Sequence, residues 1–327
     1  MNFYSFFAKT GIYSTSYGGG FMINVLCKAL SFLIVIVVGY YLRHKGIVDK
    51  SFRDSITKLA LNVTLPAAVV SSFLSFEKNN MLFLLMLMGL VFNVILIGIG
   101  YFCSLKKERN MKIMYILSCP GYNIGSFSMP FIQGFLGPQG VVATCMFDTG
   151  NALMTCGGTY ASCCALIGTE GGEKFGIKDF IRKLLFSVPF DTYVVAFLLA
   201  VFNIRLPQAF GNLISTVANA NGFMAMLMLG LSLDFNLDKK YYKEVFEMLT
   251  VKYASAVILA LLIYFVIPFD TMLKQVLTII VFSPTSALVP AFTQKSGGNT
   301  EVAAFAGSVS IVISIIIMVV LITVINP

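Results

Sequence analysis

Two apolar stretches of this chain, 111–135 and 271–293, are interrupted by prolines, glycines and small polar residues whose chemistry suits anion binding. The interrupting residues that we take as candidates for substrate binding are Asn123, Gly125, Ser126, Ser128 and Pro130, together with Ser283, Pro284, Ser286 and Pro290. A helix that starts inside a membrane presents N–H groups carrying about half a positive charge, and serine and asparagine add further donors. Two such helix starts can hold one carboxylate group. The alternative is that these side chains only satisfy backbone groups released by the prolines.

Two asparagines in other apolar stretches are further candidates for substrate binding. Asn62 lies in the stretch 51–76, and Asn221 lies in the stretch 207–235. These stretches occupy matching positions in the two halves of the chain, so we expect both side chains to contribute to the same region.

Asp148 and Asn151 lie within the apolar stretch 141–167. An acidic residue near the middle of a membrane helix costs about 2.5–3.5 kcal/mol on insertion scales, so other groups must compensate it. One interpretation is that Asp148 carries a proton coupled to transport, or that it orders the interrupted helix beside it together with Asn151. The other is a protonated or asparagine-bonded acid near a helix end, without a role in transport.

The composition indicates an integral membrane protein. Hydrophobic residues make up 57% of the chain and charged residues 12%, and the mean hydropathy is +0.86. The net charge of +8 lies in loops between apolar stretches, so the bilayer rather than nucleic acid is the expected partner. The seven cysteines lack the spacing of a zinc site, and the sequence has no activated serine or phosphate-binding loop. We therefore expect no enzyme activity, metal or cofactor.

Ten apolar stretches are long enough to cross a bilayer. They are 21–41, 51–76, 81–103, 111–135, 141–167, 184–202, 207–235, 241–267, 271–293 and 300–325. The loops after the odd-numbered stretches hold sixteen lysines and arginines, whereas the N-terminal arm and the alternate loops hold only Lys9, Lys78 and Arg205. Since positive loops face the cytoplasm, this bias predicts ten helices in the plasma membrane with both termini outside.

Four lysines lie inside these stretches, within about two turns of a predicted helix end, and we expect them to extend to the interface. They are Lys28, Lys58, Lys252 and Lys274. Lys252 is the one whose ammonium group we consider for attracting an anion.

The helix order predicts an inverted repeat, because each half holds an odd number of helices, five, and the second half therefore enters the membrane from the opposite side. We expect an interfacial N-terminal arm at 1–20, a first five-helix repeat at 21–167, a cytoplasmic linker at 168–183 and a second, inverted repeat at 184–327. Broken helices four and nine would then meet near the bilayer midplane, where secondary transporters of this kind bind substrate.

Several motifs resemble the auxin efflux carrier family, which includes plant auxin exporters and bacterial malate- or malonate-type permeases. They are Leu-Asn-Val-Thr-Leu-Pro-Ala at 61–67, the pattern Asn-x-Gly-x-x-x-x-Pro at 123–130, Leu-Gly-Leu-Ser-Leu at 229–233, and Pro284 and Pro290. The resemblance covers nearly the whole chain and is strongest at 123–130. It implies a ten-helix fold with scaffold and transport domains, helices four and nine crossing at their breaks, and carboxylate substrates moved by an elevator-like displacement. It also implies a homodimer.

The sequence as a whole therefore predicts a secondary transporter for a small organic anion such as malate, driven by a proton gradient or by exchange. The alternatives are a sodium-coupled symporter of the bile-acid type, and a membrane sensor on the same scaffold that does not transport.

Overall fold

The computed structural model describes residues 18–74, 82–168, 176–202, 204 and 208–325. Within these ranges the regular elements are all helical, so the predicted all-α class is confirmed. The α-helices are α1 (Gly18–His44), α2 (Lys50–Leu59), α3 (Leu65–Phe73), α4 (Leu82–Ser104), α5 (Arg109–Ser118), α6 (Met129–Phe135), α7 (Gly137–Leu153), α8 (Thr159–Ile167), α9 (Ile177–Leu185), α10 (Val188–Val201), α11 (Gln208–Asn219), α12 (Asn221–Ser232), α13 (Tyr242–Phe265), α14 (Thr271–Ile280), α15 (Val289–Lys295) and α16 (Thr300–Ile325). Three π-helical turns adjoin them: π1 (Ala60–Thr64), π2 (Ile124–Ser128) and π3 (Met154–Gly158).

Within the described ranges, six helical segments are long and apolar enough to cross a membrane. They are Cys27–His44, Lys50–Phe73, Phe83–Ser104, Phe210–Ser232, Lys239–Phe265 and Thr300–Ile325. The other four predicted spans hold shorter elements: two are divided at prolines, one is interrupted by π3, and α10 has only 14 residues. The number of ten membrane helices stays a prediction.

Two of the predicted spans are divided for a local chemical reason. α5 ends at Ser118 because Pro120 has no N–H group and its ring collides with the preceding helical turn. Gly121 follows with φ of +74°, a left-handed conformation that other residues rarely adopt. In the second span α14 ends at Ile280, and Pro284 lies in irregular chain before α15 begins.

Two helix pairs pack through glycines that allow their backbones to touch. A methyl group built at Gly39 of α1 or at Gly230 of α12 would collide with the backbone of the partner helix. The same is true of Gly89 in α4 and Gly150 in α7. Such small residues let membrane helices approach closely. The α4–α7 pair is the one that carries polar side chains to the first helix interruption.

Two predicted segments fall partly outside the described residues. The N-terminal arm at 1–20 lies outside them except for the start of α1, and so do residues 169–175 of the linker at 168–183. In the described part of the linker α9 begins, and it leaves Ile177, Ile181 and Leu185 exposed on one face. This pattern is typical of a helix that lies in the membrane interface.

Candidate functional site

The two helix interruptions contact each other in the structure. Tyr122 and Thr285 form an antiparallel bridge, and the N–H of Asn123 donates to the carbonyl oxygen of Pro284 at 3.1 Å. The N–H of Thr285 donates instead to the hydroxyl of Ser310 in α16, at 3.1 Å. We call residues 119–128 and 281–288 the crossing. These backbone groups are thus paired within the protein, one of them across the crossing and the other with α16, rather than left to the bilayer.

The structure brings together several of the predicted binding residues at the crossing. Ser128 and Ser283 share a hydroxyl–hydroxyl hydrogen bond of 2.6 Å and are fully buried. The Asn123 side-chain oxygen accepts a hydrogen bond from the Ser126 hydroxyl. Ser126 and Gly125 are half-buried, so this part of the crossing is partly exposed at the surface of the protein. The Ser128–Ser283 pair therefore joins the two interrupted helices, whereas Ser126 is partly exposed.

The remaining candidates at the crossing shape the backbone. Pro130 and Pro290 occupy the second positions of α6 and α15, where proline is tolerated because no helical partner is lost. Pro284 is buried and supplies the carbonyl that accepts from Asn123. The hydroxyl of Ser286 accepts from the N–H of Leu288 at 3.3 Å and so caps the start of the last turn before α15.

Two asparagines hold the first interruption in place. The side chain of Asn151 accepts from the N–H of Tyr122 at 3.1 Å and donates to its carbonyl oxygen at 2.8 Å. Asn93 of α4 accepts from the N–H of Gly121 at 2.6 Å and donates to the Asn151 oxygen at 3.0 Å. Sequence reasoning missed Asn93, although a single amide within the apolar stretch 81–103 is a signal that could have identified it.

The Asp148 carboxylate lies beside the crossing and accepts two hydrogen bonds. One comes from Asn151 at 2.8 Å and the other from the hydroxyl of Tyr193 in α10 at 2.9 Å. A methyl group built at Gly125 would lie 3.1 Å from that hydroxyl and 3.6 Å from the carboxylate, so the acid adjoins the partly exposed part of the crossing. No sequence signal pointed to Tyr193. Over the described ranges, no group of three or more histidine, cysteine or acidic side chains could hold a metal ion.

The two asparagines of the predicted spans 51–76 and 207–235 differ in their surroundings. Asn221 is buried, accepts from the hydroxyl of Thr64 at 3.2 Å and donates to Gln133 of α6 at 3.1 Å. Asn62 lies in π1 with an exposed side chain and makes no hydrogen bond to any other residue that the structure describes. The structure therefore links Asn221 to the second half of the interrupted helix and does not link Asn62 to it.

Lys252 does not extend to the membrane interface, so that expectation is wrong. The side chain is 2% exposed, and its ammonium group donates to the carbonyl oxygens of Ser118 at 3.3 Å and Cys119 at 3.0 Å. It also lies 5.6 Å from the centre of the Tyr122 ring. Lys252 binds the carbonyl end of α5, because the proline that follows leaves these carbonyls without helical partners.

Comparisons with known proteins find similarity to membrane transporters. Residues 24–165 match the family model described as membrane transport protein. The chain is 25% identical over 214 residues to an uncharacterized transporter of Methanothermobacter thermautotrophicus, covering 63% of this chain and 67% of that protein. It is 24% identical over 217 residues to an uncharacterized transporter of Methanocaldococcus jannaschii, covering 62% of this chain and 66% of that protein. The chain thus spans about two thirds of the length of each relative.

The matched region contains the crossing residues 119–128 with the Asn-x-Gly-x-x-x-x-Pro pattern, together with Asn93, Asp148 and Asn151. The family match and the two relatives confirm the resemblance drawn from the motifs. The chain is therefore similar to membrane transport proteins, and its long apolar helices are those of a multi-pass membrane protein.

Proposed function

We propose that this protein is a secondary active transporter that moves a small organic anion, a mono- or dicarboxylate such as malate, across the cytoplasmic membrane by alternating access. One observation carries the proposal: two interrupted helices contact each other at their breaks and gather hydroxyl and amide groups there. Irregular backbone at membrane depth persists where it is buried in protein or lines a water-filled cavity. In secondary transporters such discontinuous helices form the substrate site.

The groups at the crossing favour an anion as substrate. The Ser126 hydroxyl and the Asn123 amide can donate hydrogen bonds, whereas a carboxylate can only accept them. In the structure the Ser126 hydroxyl donates to Asn123, so a bound carboxylate would take over this donor. Neither of the two segments of the crossing contains an acidic residue that would repel an anion. We assign the first contact with substrate to Asn123, Gly125 and Ser126.

The same proposal includes ten membrane helices arranged as two inverted repeats, 21–167 and 184–327, with both termini outside. An inverted second repeat would bring equivalent segments together in opposite directions, and the bridge between Tyr122 and Thr285 is antiparallel. The excess of lysine and arginine in alternate loops supports the orientation. A homodimer through scaffold helices stays a prediction.

An elevator-like movement fits the way in which the helices pack. α1 packs tightly on α12, and α4 packs tightly on α7, through the facing glycines described above. We assign α1 and α12 to a static scaffold, and α4, α7 and the crossing to the part that moves. Asn221 of α12 donates to Gln133 of α6, the helix that continues the crossing, and Tyr193 of α10 donates to Asp148 of α7. These two bonds would break and re-form as the moving part shifts against the helices around it.

Asp148 is our candidate for coupling transport to protons. Its carboxylate accepts from Tyr193 on one side and from Asn151 on the other, and Asn151 holds the backbone of Tyr122 at the crossing. A proton on this carboxylate would replace one accepted hydrogen bond by a donated one. Protonation would therefore change the hydrogen bond between Asp148 and Tyr193 of α10. It would also change the position of Asn151, which binds the backbone of Tyr122 at the crossing.

The test is uptake of radiolabelled malate into liposomes containing the purified protein, with and without an inward proton gradient. We expect saturable uptake that the gradient enhances. Asn123→Ala should abolish uptake, because it removes the amide at the partly exposed part of the crossing. Asn212→Ala is the matched control, since Asn212 is an exposed asparagine of α11.

Each other outcome identifies an alternative. Uptake that requires sodium and ignores the proton gradient would replace the proposal by a sodium-coupled symporter. Flux that does not saturate would indicate a channel, and malate binding without uptake would indicate a sensor. Equal uptake by the wild type and Asn123→Ala would contradict the assignment of the crossing as the site.

A further inference from the structure

Lys252 is a buried cation whose charge no carboxylate neutralises among the residues that the structure describes. Its side chain is 2% exposed, and its hydrogen bonds go to the carbonyl oxygens of Ser118 and Cys119. The Lys252 ammonium group also lies over the ring of Tyr122, 5.6 Å from its centre. Charged side chains inside membrane segments are rare and mark functional sites, so this lysine requires an explanation beyond packing.

The ligands of the Lys252 ammonium are those that a sodium ion would use. The carbonyl end of a helix carries about half a negative charge, and in discontinuous membrane helices such ends bind coupling cations. The Ser118 hydroxyl is also buried and has no hydrogen-bond partner within the described parts of the chain. The Tyr122 hydroxyl is buried and unpartnered in the same way. The two carbonyl oxygens that the ammonium group contacts are ligands of the kind that suits a hard cation.

We propose that the Lys252 ammonium is the resident cation of the crossing and takes the place of a coupling sodium ion. The protein therefore needs no sodium to hold the end of α5 against the crossing. The fixed positive charge also offsets part of the negative charge of a substrate anion, a consequence that rests on the function proposed above. Removing the amine while leaving space would create a site that a small monovalent cation enters.

Thermal unfolding of the purified protein tests this without any substrate. The midpoint is measured in sodium chloride and in N-methylglucamine chloride of equal ionic strength. The wild-type midpoint should be equal in both salts. The midpoint of Lys252→Ala should be lower in N-methylglucamine and should rise with the logarithm of the sodium concentration above the dissociation constant, by about 3 °C in total at some tens of times that constant. Methylammonium, which restores the lost amine, should give a similar rise.

Two control variants separate a resident cation from a general stabilising lysine. Lys252→Met keeps the apolar stem and leaves no room for an ion, so its midpoint should be lowered and should not respond to sodium. Lys274→Ala is the matched control, because Lys274 also donates to a backbone carbonyl, that of Tyr264 at 3.0 Å, and lies 6.0 Å from the centre of the ring of the same residue. It lies near the start of α14, and its loss should produce no sodium response.

Specific results would overturn the proposal. One is a higher unfolding midpoint of the wild type in sodium chloride than in N-methylglucamine chloride. This result would contradict the proposal even if Lys252→Ala does not fold. Another is a Lys252→Ala protein whose midpoint is the same in both salts. Because the readout needs no transport, a sodium response of Lys252→Ala would stand even if malate uptake failed, and uptake would stand without the sodium response.

Discussion

The side chain of Asn151 uses its full hydrogen-bonding capacity to hold the first helix interruption, so its removal should destabilise the whole protein. It accepts from the N–H of Tyr122 and from Asn93, and it donates to the carbonyl of Tyr122 and to Asp148. Asn151 is 1% exposed, so water cannot replace these partners. Asn151→Ala breaks all four bonds and leaves the N–H of Tyr122 without an acceptor.

The expected loss follows from the number of bonds. Hydrogen bonds between membrane helices contribute on average about 0.6 kcal/mol each, so four of them contribute roughly 2–3 kcal/mol. A buried donor left without a partner costs a further 1–3 kcal/mol or so. We therefore expect Asn151→Ala to lower the free energy of unfolding by about 3–6 kcal/mol. A loss of this size would shift the unfolding midpoint by roughly 10 °C.

The measurement is unfolding in detergent of the wild type, Asn151→Ala and a control. Asn299→Ala is the matched control, because the Asn299 oxygen accepts from the N–H groups of Glu301 and Val302 at the start of α16, outside the crossing. Losing such a cap costs about 1 kcal/mol. If Asn151→Ala is no less stable than Asn299→Ala, the network does not hold the crossing and the reasoning fails.

Two further predictions concern proton coupling and helix packing. Asp148→Asn should leave the protein folded and abolish the enhancement of malate uptake by an inward proton gradient; equal enhancement in wild type and variant would exclude Asp148 as the coupling group. Gly150→Ala should lower the free energy of unfolding by about 1–3 kcal/mol, because the added methyl group collides with the backbone of Met86. Gly98→Ala, whose methyl group would meet open space, is the control, and an equal loss in both variants would contradict the close α4–α7 contact.

Features that depend on covalent chemistry and composition could be predicted from the sequence. Pro120 and Pro284 could be recognised as helix interruptions from the sequence, because the missing N–H group and the ring collision are local effects that do not depend on packing. The high apolar content predicted a membrane protein, and the motifs around Asn123 predicted a resemblance to membrane transporters that the comparisons support. The polar character of Asp148 and Asn151 within an apolar stretch was enough to mark both residues for attention.

The partners of these residues were decided by tertiary structure. The sequence led us to expect Lys252 at the membrane interface. Only the packing of α13 beside the end of α5, 133 residues away in the chain, buries its ammonium group against the Cys119 carbonyl. Asn62 and Asn221 occupy similar places in their halves, yet the side chain of one is exposed and that of the other is buried. Sequence position specifies which groups the chain possesses. Which donor meets which acceptor depends on how helices distant in sequence rotate and pack against each other, because hydrogen bonds form only within about 3 Å.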